Sequence, residues 1–254
     1  MLIALDIGNS FVKIGFFAGR TLLIREIATH PLLPSSRYMA FIRDFIKENN
    51  MDKTPEGIII SSVVQGHTEA FKKALERLFT VRPFMVDYAI KTGIRLDIPN
   101  PEGLGADRIA NIVAAEALYK CPVAVVDFGT ATTISVVGRA SNYIGGAILP
   151  GLRLMNESLA QGTSRLSEVQ IGAPGAALGT DTYSCIRSGL LFGTAGAVER
   201  IIGEIERETG LRLKIAITGG HSSLISKYVK RRHTVIPLLT LKGLKTIYTR
   251  NTNE

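Results

Sequence analysis

Signatures that would name a chemistry at once are missing from this sequence. There is no GxxxxGK[ST] phosphate loop and no GxGxxG after a first strand, so P-loop and dinucleotide-binding readings are poor. No G-x-S-x-G turn occurs, which leaves a Ser-His-Asp hydrolase unsupported. Cys121 and Cys185 stand apart without a CxxC, and His30, His67, His221 and His233 show no metal-ligand spacing. The pattern speaks against structural zinc, and the expectation is two reduced, mostly buried thiols rather than a disulfide. No apolar run reaches the roughly 18 residues of a membrane span. The N-terminus opens on strand-like sequence containing Asp6 rather than on a leader, so the expectation is a cytoplasmic protein with no membrane partner.

What is present describes an ordinary globular chain, 46% hydrophobic and 20% charged over 254 residues. The net charge of +8 fits an anionic substrate as well as nucleic acid. The dense basic run Lys230-Arg231-Arg232-His233 closes an amphipathic stretch, Ser223 to Arg232, where cations at a helix C-terminus complement the dipole. No aromatic-interleaved basic motif accompanies it, so no nucleic-acid partner is expected.

The informative feature is a repeated turn. Asp6-Ile7-Gly8-Asn9-Ser10 follows the apolar run Leu2 to Leu5, and Asp127-Phe128-Gly129-Thr130-Ala131 follows Val123 to Val126. The two aspartates lie nearly half the chain apart. Each copy reads as a buried strand entering a carboxylate, a glycine turn and then polar residues. Such a turn brings backbone N–H groups and small hydroxyls to phosphate oxygens, while its carboxylate addresses a hydrated cation. One Asp-x-Gly alone is a common structural turn. Two, on duplicated halves, suggest a cleft gripping a nucleotide triphosphate from both sides.

Periodicity supports the duplication. Strands are expected at Met1 to Leu5, Phe11 to Phe17, Thr21 to Ala28, Gly57 to Val64 and Pro83 to Val86, with helices at Arg37 to Glu48, His67 to Phe79 and Ala106 to Tyr119. The second half repeats the theme with strands at Val123 to Asp127, Thr132 to Gly138, Tyr143 to Ile148 and Lys214 to Thr218. Its helices are expected at Leu152 to Leu159 and Tyr183 to Glu208, the latter weakened by Gly189, Gly193 and Gly196. The fold class is α/β with mixed sheets, divided into domains 1–118 and 119–254.

Between the two turns lies Gly105-Ala106-Asp107-Arg108, at a helix start after the loop Asn100 to Gly105. An aspartate in a first helical turn is commonly a dipole partner. Beside Arg108 it also reads as a base next to an anion binder, the pairing phosphoryl transfer uses. Gly219-Gly220, after the strand Lys214 to Thr218, is a third close-approach site, with room for a flat adenine or its ribose.

Together these residues resemble the type III pantothenate kinases of the actin/hexokinase-like phosphotransferase superfamily. Asn100-Pro101 with Gly105-Ala106-Asp107-Arg108 is similar to the family's N-P-x-x-x-G-x-D-R, and Asp127 to Thr133 to its D-x-G-T-A-T-T. Gly145 to Gly151 and Thr218-Gly219-Gly220 follow in family order. The resemblance implies two duplicated ribonuclease-H-like (actin-like) domains flanking an ATP cleft, a homodimer, and ATP-dependent phosphorylation of pantothenate, the first step toward coenzyme A. It implies that Asp6, Ile7, Gly8, Asn9, Ser10, Phe11, Val12 and Lys13 line the triphosphate, with Asp6 near magnesium through water, and that Thr130 touches ATP. It gives Gly105, Ala106, Asp107 and Arg108 to pantothenate, Asp107 as general base, Ile98 as an apolar wall where relatives are often aromatic, and Thr182 as a contact from the partner subunit. Asp127 would bind potassium or ammonium. Ser135 stands where many relatives carry aspartate, which keeps open a non-catalytic accessory or regulatory protein; a sugar or small-acid kinase of the same superfamily is the other alternative.

Overall fold

The computed structural model describes residues 1–51 and 54–252. The chain forms two compact units, Met1–Ala114 with Thr240–Glu254, and Ala115–Leu239. The last segment groups with the first unit, which a single cut after residue 118 does not provide for.

The first unit begins with a meander, β1 (Leu2–Ile7), β2 (Phe11–Ala18) and β3 (Thr21–Ala28), each strand antiparallel to the next. Helix α1 (Ser35–Glu48) leads to β4 (Gly57–Ser62), which runs parallel to β1, and α2 (Gln65–Leu78) leads to β5 (Phe84–Met85), parallel to β4. The sheet order is therefore β3-β2-β1-β4-β5. β1 and β4 are central and read as near-continuous apolar runs because both faces are covered. Ile3, Leu5, Ile58 and Ile60 meet Tyr38, Ile42 and Phe71 from α1 and α2 in one buried cluster. Each such side chain removed from water contributes about 1.5–3 kcal/mol. A short strand β6 (Arg95–Leu96) and a 3-10 turn at Pro101–Gly103 precede α3 (Ala106–Tyr119), inside which the chain passes to the second unit.

The second unit repeats this order. β7 (Val123–Phe128), β8 (Ala131–Val137) and β9 (Asn142–Pro150) form an antiparallel meander. α4 (Leu152–Gly162) and α5 (Thr182–Thr209) lead to β10 (Lys214–Thr218), parallel to β7, and α6 (Ser222–Ile225) leads to β11 (Thr234–Val235), parallel to β10. The five strands β7 to β11 follow the order and directions of β1 to β5, so the duplication inferred from the two turns extends through these strands. Ala124, Val126, Ile134 and Ile217 bury against Leu190, Leu191 and Val198 of α5.

Three expectations change. The glycines do not weaken α5 into pieces: Gly189, Gly193 and Gly196 lie on its exposed side, while Ile186, Leu190, Leu191, Ala195, Val198 and Ile202 anchor the other. Packing of one face overrides local propensity. Asp181 caps the helix, its carboxylate accepting from the Ser184 N–H at 2.9 Å, and Gly210 ends it in the left-handed conformation. Ser223 to Arg232 is not a continuous helix, because α6 stops at Ile225 and one 3-10 turn follows. Glu199 of α5 accepts the backbone N–H groups of Lys230 and Arg231 at 2.7 and 2.8 Å, and Arg231 pairs with Glu206. The basic run is thus tied to α5 rather than ending a helix. Of the two thiols, Cys121 is half-buried and Cys185 exposed, not mostly buried, because Cys185 lies in the first turn of α5 on its solvent side.

Helix α7 (Leu239–Thr252), not anticipated from the sequence, belongs to the first unit from Thr240 onward. Leu241 packs over Gly15 of β2, Tyr248 donates to the Glu56 carbonyl at 2.9 Å, and Thr240 Oγ1 donates to Asn111 Oδ1 of α3 at 3.0 Å. Gly243 lies against Ala110 so closely that a Cβ there would overlap the Ala110 carbonyl.

Candidate functional site

In the first unit, Asp6 sits at the C-terminal end of β1, in register with Lys13 of β2 and Ser61 of β4. The carboxyl ends of central strands are where open α/β sheets leave room for ligands. The hairpin turns tightly, the Gly8 N–H donating to the Phe11 carbonyl at 3.0 Å. Thr29, just past the end of β3, locks it: its hydroxyl donates to the Gly8 carbonyl at 2.7 Å and its N–H to the Ser10 carbonyl at 3.0 Å. Thr29 was not legible as a site residue, because its partner is 21 positions away and nothing local marks the contact. Asp6, Gly8, Ser10 and Lys13 are half-buried, Ile7 and Val12 buried, Asn9 and Phe11 exposed.

The stretch Gly105-Ala106-Asp107-Arg108 opens α3. Asp107 Oδ1 accepts the Arg108 N–H at 2.8 Å, and the Gly105 carbonyl accepts the Ile109 N–H at 3.1 Å. Asp107 is half-buried, and burial raises its proton affinity above the ordinary aspartate range, with the Arg108 N–H and guanidinium charge opposing. A carboxylate so placed is a better proton acceptor than an exposed one. Ile98 is half-buried in the segment between β6 and the 3-10 turn. The turn and α3 are linked through Val63, whose N–H donates to the Ile7 carbonyl at 3.1 Å and whose side chain adjoins Gly105.

In the second unit, Asp127 occupies the same place at the end of β7, in register with Thr133 and Thr218. The Gly129 N–H donates to the Ala131 carbonyl at 3.1 Å, two residues on, a tighter closure than the three-residue span from Gly8 to Phe11 in the first turn. The Gly151 N–H donates to the Thr130 carbonyl at 3.1 Å, so α4 starts against the turn. Gly219 has φ +99°, and a Cβ there would run into Asp127 Oδ1 and the Phe128 backbone. The His221 N–H reaches the Phe128 carbonyl at 3.1 Å. Burial and then the Arg153 charge lower the proton affinity of the His221 ring, which favours its neutral form. The scattered histidines carried no sequence signal for that. Thr182 is exposed in the first turn of α5. Ser135 is buried within β8, in register with Val125 and Gly146.

Among the described residues no group of three or more His, Cys, Asp or Glu could hold a metal by itself. A single carboxylate such as Asp6 suits a divalent ion that takes one or two protein carboxylates plus substrate phosphates. The buried Ser61 hydroxyl, in register with Asp6, has no hydrogen-bond partner in the structure. A polar ligand sphere around Asp6 fits that arrangement.

Comparison with known proteins bears on the family and the fold. A family model described as type III pantothenate kinase matches residues 2–204. A type III pantothenate kinase of Myxococcus xanthus is 37% identical over 253 residues, covering 99% of each chain. Among solved structures, a conserved Baf family protein from Campylobacter jejuni gives a TM-score of 0.63 at 21% identity, covering 99% of this chain and 100% of its own. A ROK family glucokinase from Streptomyces griseus, in complex with glucose and AMPPNP, gives 0.52 at 11% identity, covering 96% and 97%. These two likenesses speak for the duplicated actin-like fold alone. The sequence relationship goes further, and the chain belongs to the type III pantothenate kinase family.

Proposed function

We infer that the protein transfers the γ-phosphoryl group of ATP to pantothenate, giving 4'-phosphopantothenate, the first step of coenzyme A biosynthesis. The observation that carries the reading to particular residues is Asp107, a half-buried carboxylate with raised proton affinity at the start of α3. Asp107 accepts the proton of the terminal primary hydroxyl as its oxygen bonds to the γ-phosphorus and the bond to the β-phosphate bridge breaks, releasing ADP. Gly105, Ala106 and Arg108 hold pantothenate, with Ile98 as an apolar wall. The hairpin Asp6 to Lys13 takes the triphosphate, Lys13 and the turn N–H groups meeting its charge, and Thr130 contacts ATP. Asp6 would help to hold magnesium with the phosphates, and the ion would supply charge neutralisation on the transferred group. Asp127 is assigned potassium or ammonium.

A homodimer is part of the proposal, with Thr182 reaching the partner's pantothenate. Support comes from α5, whose exposed stripe Gly189, Phe192, Gly193 and Gly196 leaves a smooth face open to a second copy. Among the described residues no helix is long and apolar enough to cross a membrane, and a cytoplasmic location is proposed. An ATP-coupled assay with pantothenate, run with and without potassium, tests the activity. Turnover is expected, and its absence overturns the reading. Preference for hexoses or acetate over pantothenate would favour the sugar or small-acid kinase instead.

A further inference from the structure

The connection from β4 into α2 has no task in phosphoryl transfer as described. Val63 is tied to the nucleotide hairpin through its N–H, which donates to the Ile7 carbonyl at 3.1 Å. Its Cγ1 lies 3.9 Å from the point a Cβ on Gly105 would occupy, and Asp107 Oδ1 lies 2.6 Å from that same point. A valine methyl and the proposed base therefore flank one small space. Val63 is 43% exposed, whereas Ile58, Ile59 and Ile60 before it are fully buried.

Beside Val63 opens a cavity of about 340 Å³ lined by Ser62, Val63, Val64, Gln65, Thr68 and Met85. Two of its polar groups are already satisfied: Thr68 Oγ1 donates to Ser62 Oγ at 2.6 Å, and Ser62 Oγ accepts the Val64 N–H at 3.1 Å. What the cavity offers a ligand on this side is the apolar surface of Val63, Val64 and Met85. Ligand sites combine such surface with a few polar groups that fix orientation; Gln65 stands in the lining, and Asp107 lies outside it, near Gly105 on the Val63 side.

Pantothenate has the complementary pattern. Its reacting hydroxymethyl carbon is bonded to a quaternary carbon bearing two methyl groups. A hydroxyl within about 2.6–3.2 Å of Asp107 puts that carbon two bonds further on, in reach of Val63. We propose that Val63, backed by Val64 and Met85, forms the wall that receives this pair of methyl groups and so sets specificity for the branched alcohol. The inference rests on the pantothenate kinase reading.

The test compares kcat/KM for pantothenate with that for the analogue lacking both methyl groups. Val63→Ala lowers kcat/KM for pantothenate about 10- to 100-fold, mainly through KM, and changes the analogue by less than about twofold. Met85→Ala shows the same selectivity with a smaller loss. Val63→Phe overfills the space and turns preference toward the analogue, while Val63→Ile retains pantothenate. KM for ATP stays constant throughout. Because Val63 is partly exposed, Val63→Ala should keep the wild-type melting temperature, which melting of the same samples checks. Equal losses on both substrates in a variant that melts normally would overturn the contact. Turnover of pantothenate by the unaltered protein checks the underlying reading separately; its absence removes both, whereas turnover with a flat ratio removes only the contact.

Discussion

In the first unit Asp6 faces Lys13 on one neighbouring strand and Ser61 on the other; in the second, Asp127 faces Thr133 and Thr218. In each a glycine N–H closes the turn, at 3.0 and 3.1 Å, but the first loop is one residue longer, Ile7 pairing with Val12 where Phe128 pairs with Thr132. The side chains facing the carboxylate differ. A lysine opposite Asp6 suits a highly charged triphosphate, while hydroxyls opposite Asp127 suit a cation with a phosphate oxygen. The helices that follow each sheet differ more. α3 carries Asp107 in its first turn, whereas α7 carries no acidic residue there and packs on α3 through Gly243 and Thr240. Duplication supplied two scaffolds, and only one carries an aspartate in the first turn of that helix; the helix in the matching place packs against it.

The largest effect should come from the unduplicated element. Asp107→Asn lowers kcat by about 10²–10⁴-fold with KM for ATP little changed, measured by coupled assay. Retention of full activity would remove Asp107 from the chemistry and leave both units equally without a base.

Next come the two turns. Asp6→Asn and Asp127→Asn each lower kcat by about 10²–10³-fold, as loss of one preorganised electrostatic group does. Their ion dependence separates them: Asp6→Asn raises the magnesium concentration for half-maximal rate, and Asp127→Asn abolishes the response to potassium. Identical ion profiles for the two variants would mean that the turns do not differ in role.

A smaller effect tests the support helix. Gly243→Ala forces a methyl group into the Ala110 backbone, destabilising by about 1–3 kcal/mol. Melting followed by circular dichroism should fall by about 2–4 °C for each kcal/mol. An unchanged melting temperature would show that α7 does not press on α3.

The smallest effect concerns pH. Burial raises the Asp107 pKa in the folded protein, so the native state holds its proton more tightly than the unfolded chain. The stability from that proton is full below the unfolded value and is lost as pH rises through the folded value. Asp107→Asn should therefore melt no lower than wild type near neutral pH, with any advantage shrinking in acid. The acid limb of kcat/KM in the wild type should lie above the ordinary aspartate range. A limb at or below that range would show that burial does not govern this carboxylate.

Much of this architecture was legible because it is written in short-range pattern. The runs Leu2 to Leu5 and Val123 to Val126 mark central strands, and the turns after them are local. Asp107 was legible too, since a glycine, an aspartate and an arginine at a helix start lie within four residues. Thr29, Val63 and the α7 contacts were not, as each acts on a partner distant in sequence. The expected helix at Ser223 to Arg232 failed for the same reason. Its local amphipathic pattern was outweighed by Glu199, 31 positions from Lys230, taking the backbone N–H groups there.

The sequence by itself thus determined the strand–turn repeat, the residue types at both turns and the identity of the candidate base, because covalent neighbours and side-chain period set them. Tertiary structure alone decided that Thr29 holds the Asp6 hairpin, that α7 backs α3 and that Val63 borders Asp107. Those contacts follow from how sheets and helices stack, and burial raises the proton affinity of Asp107 only once that stacking has taken water away from it.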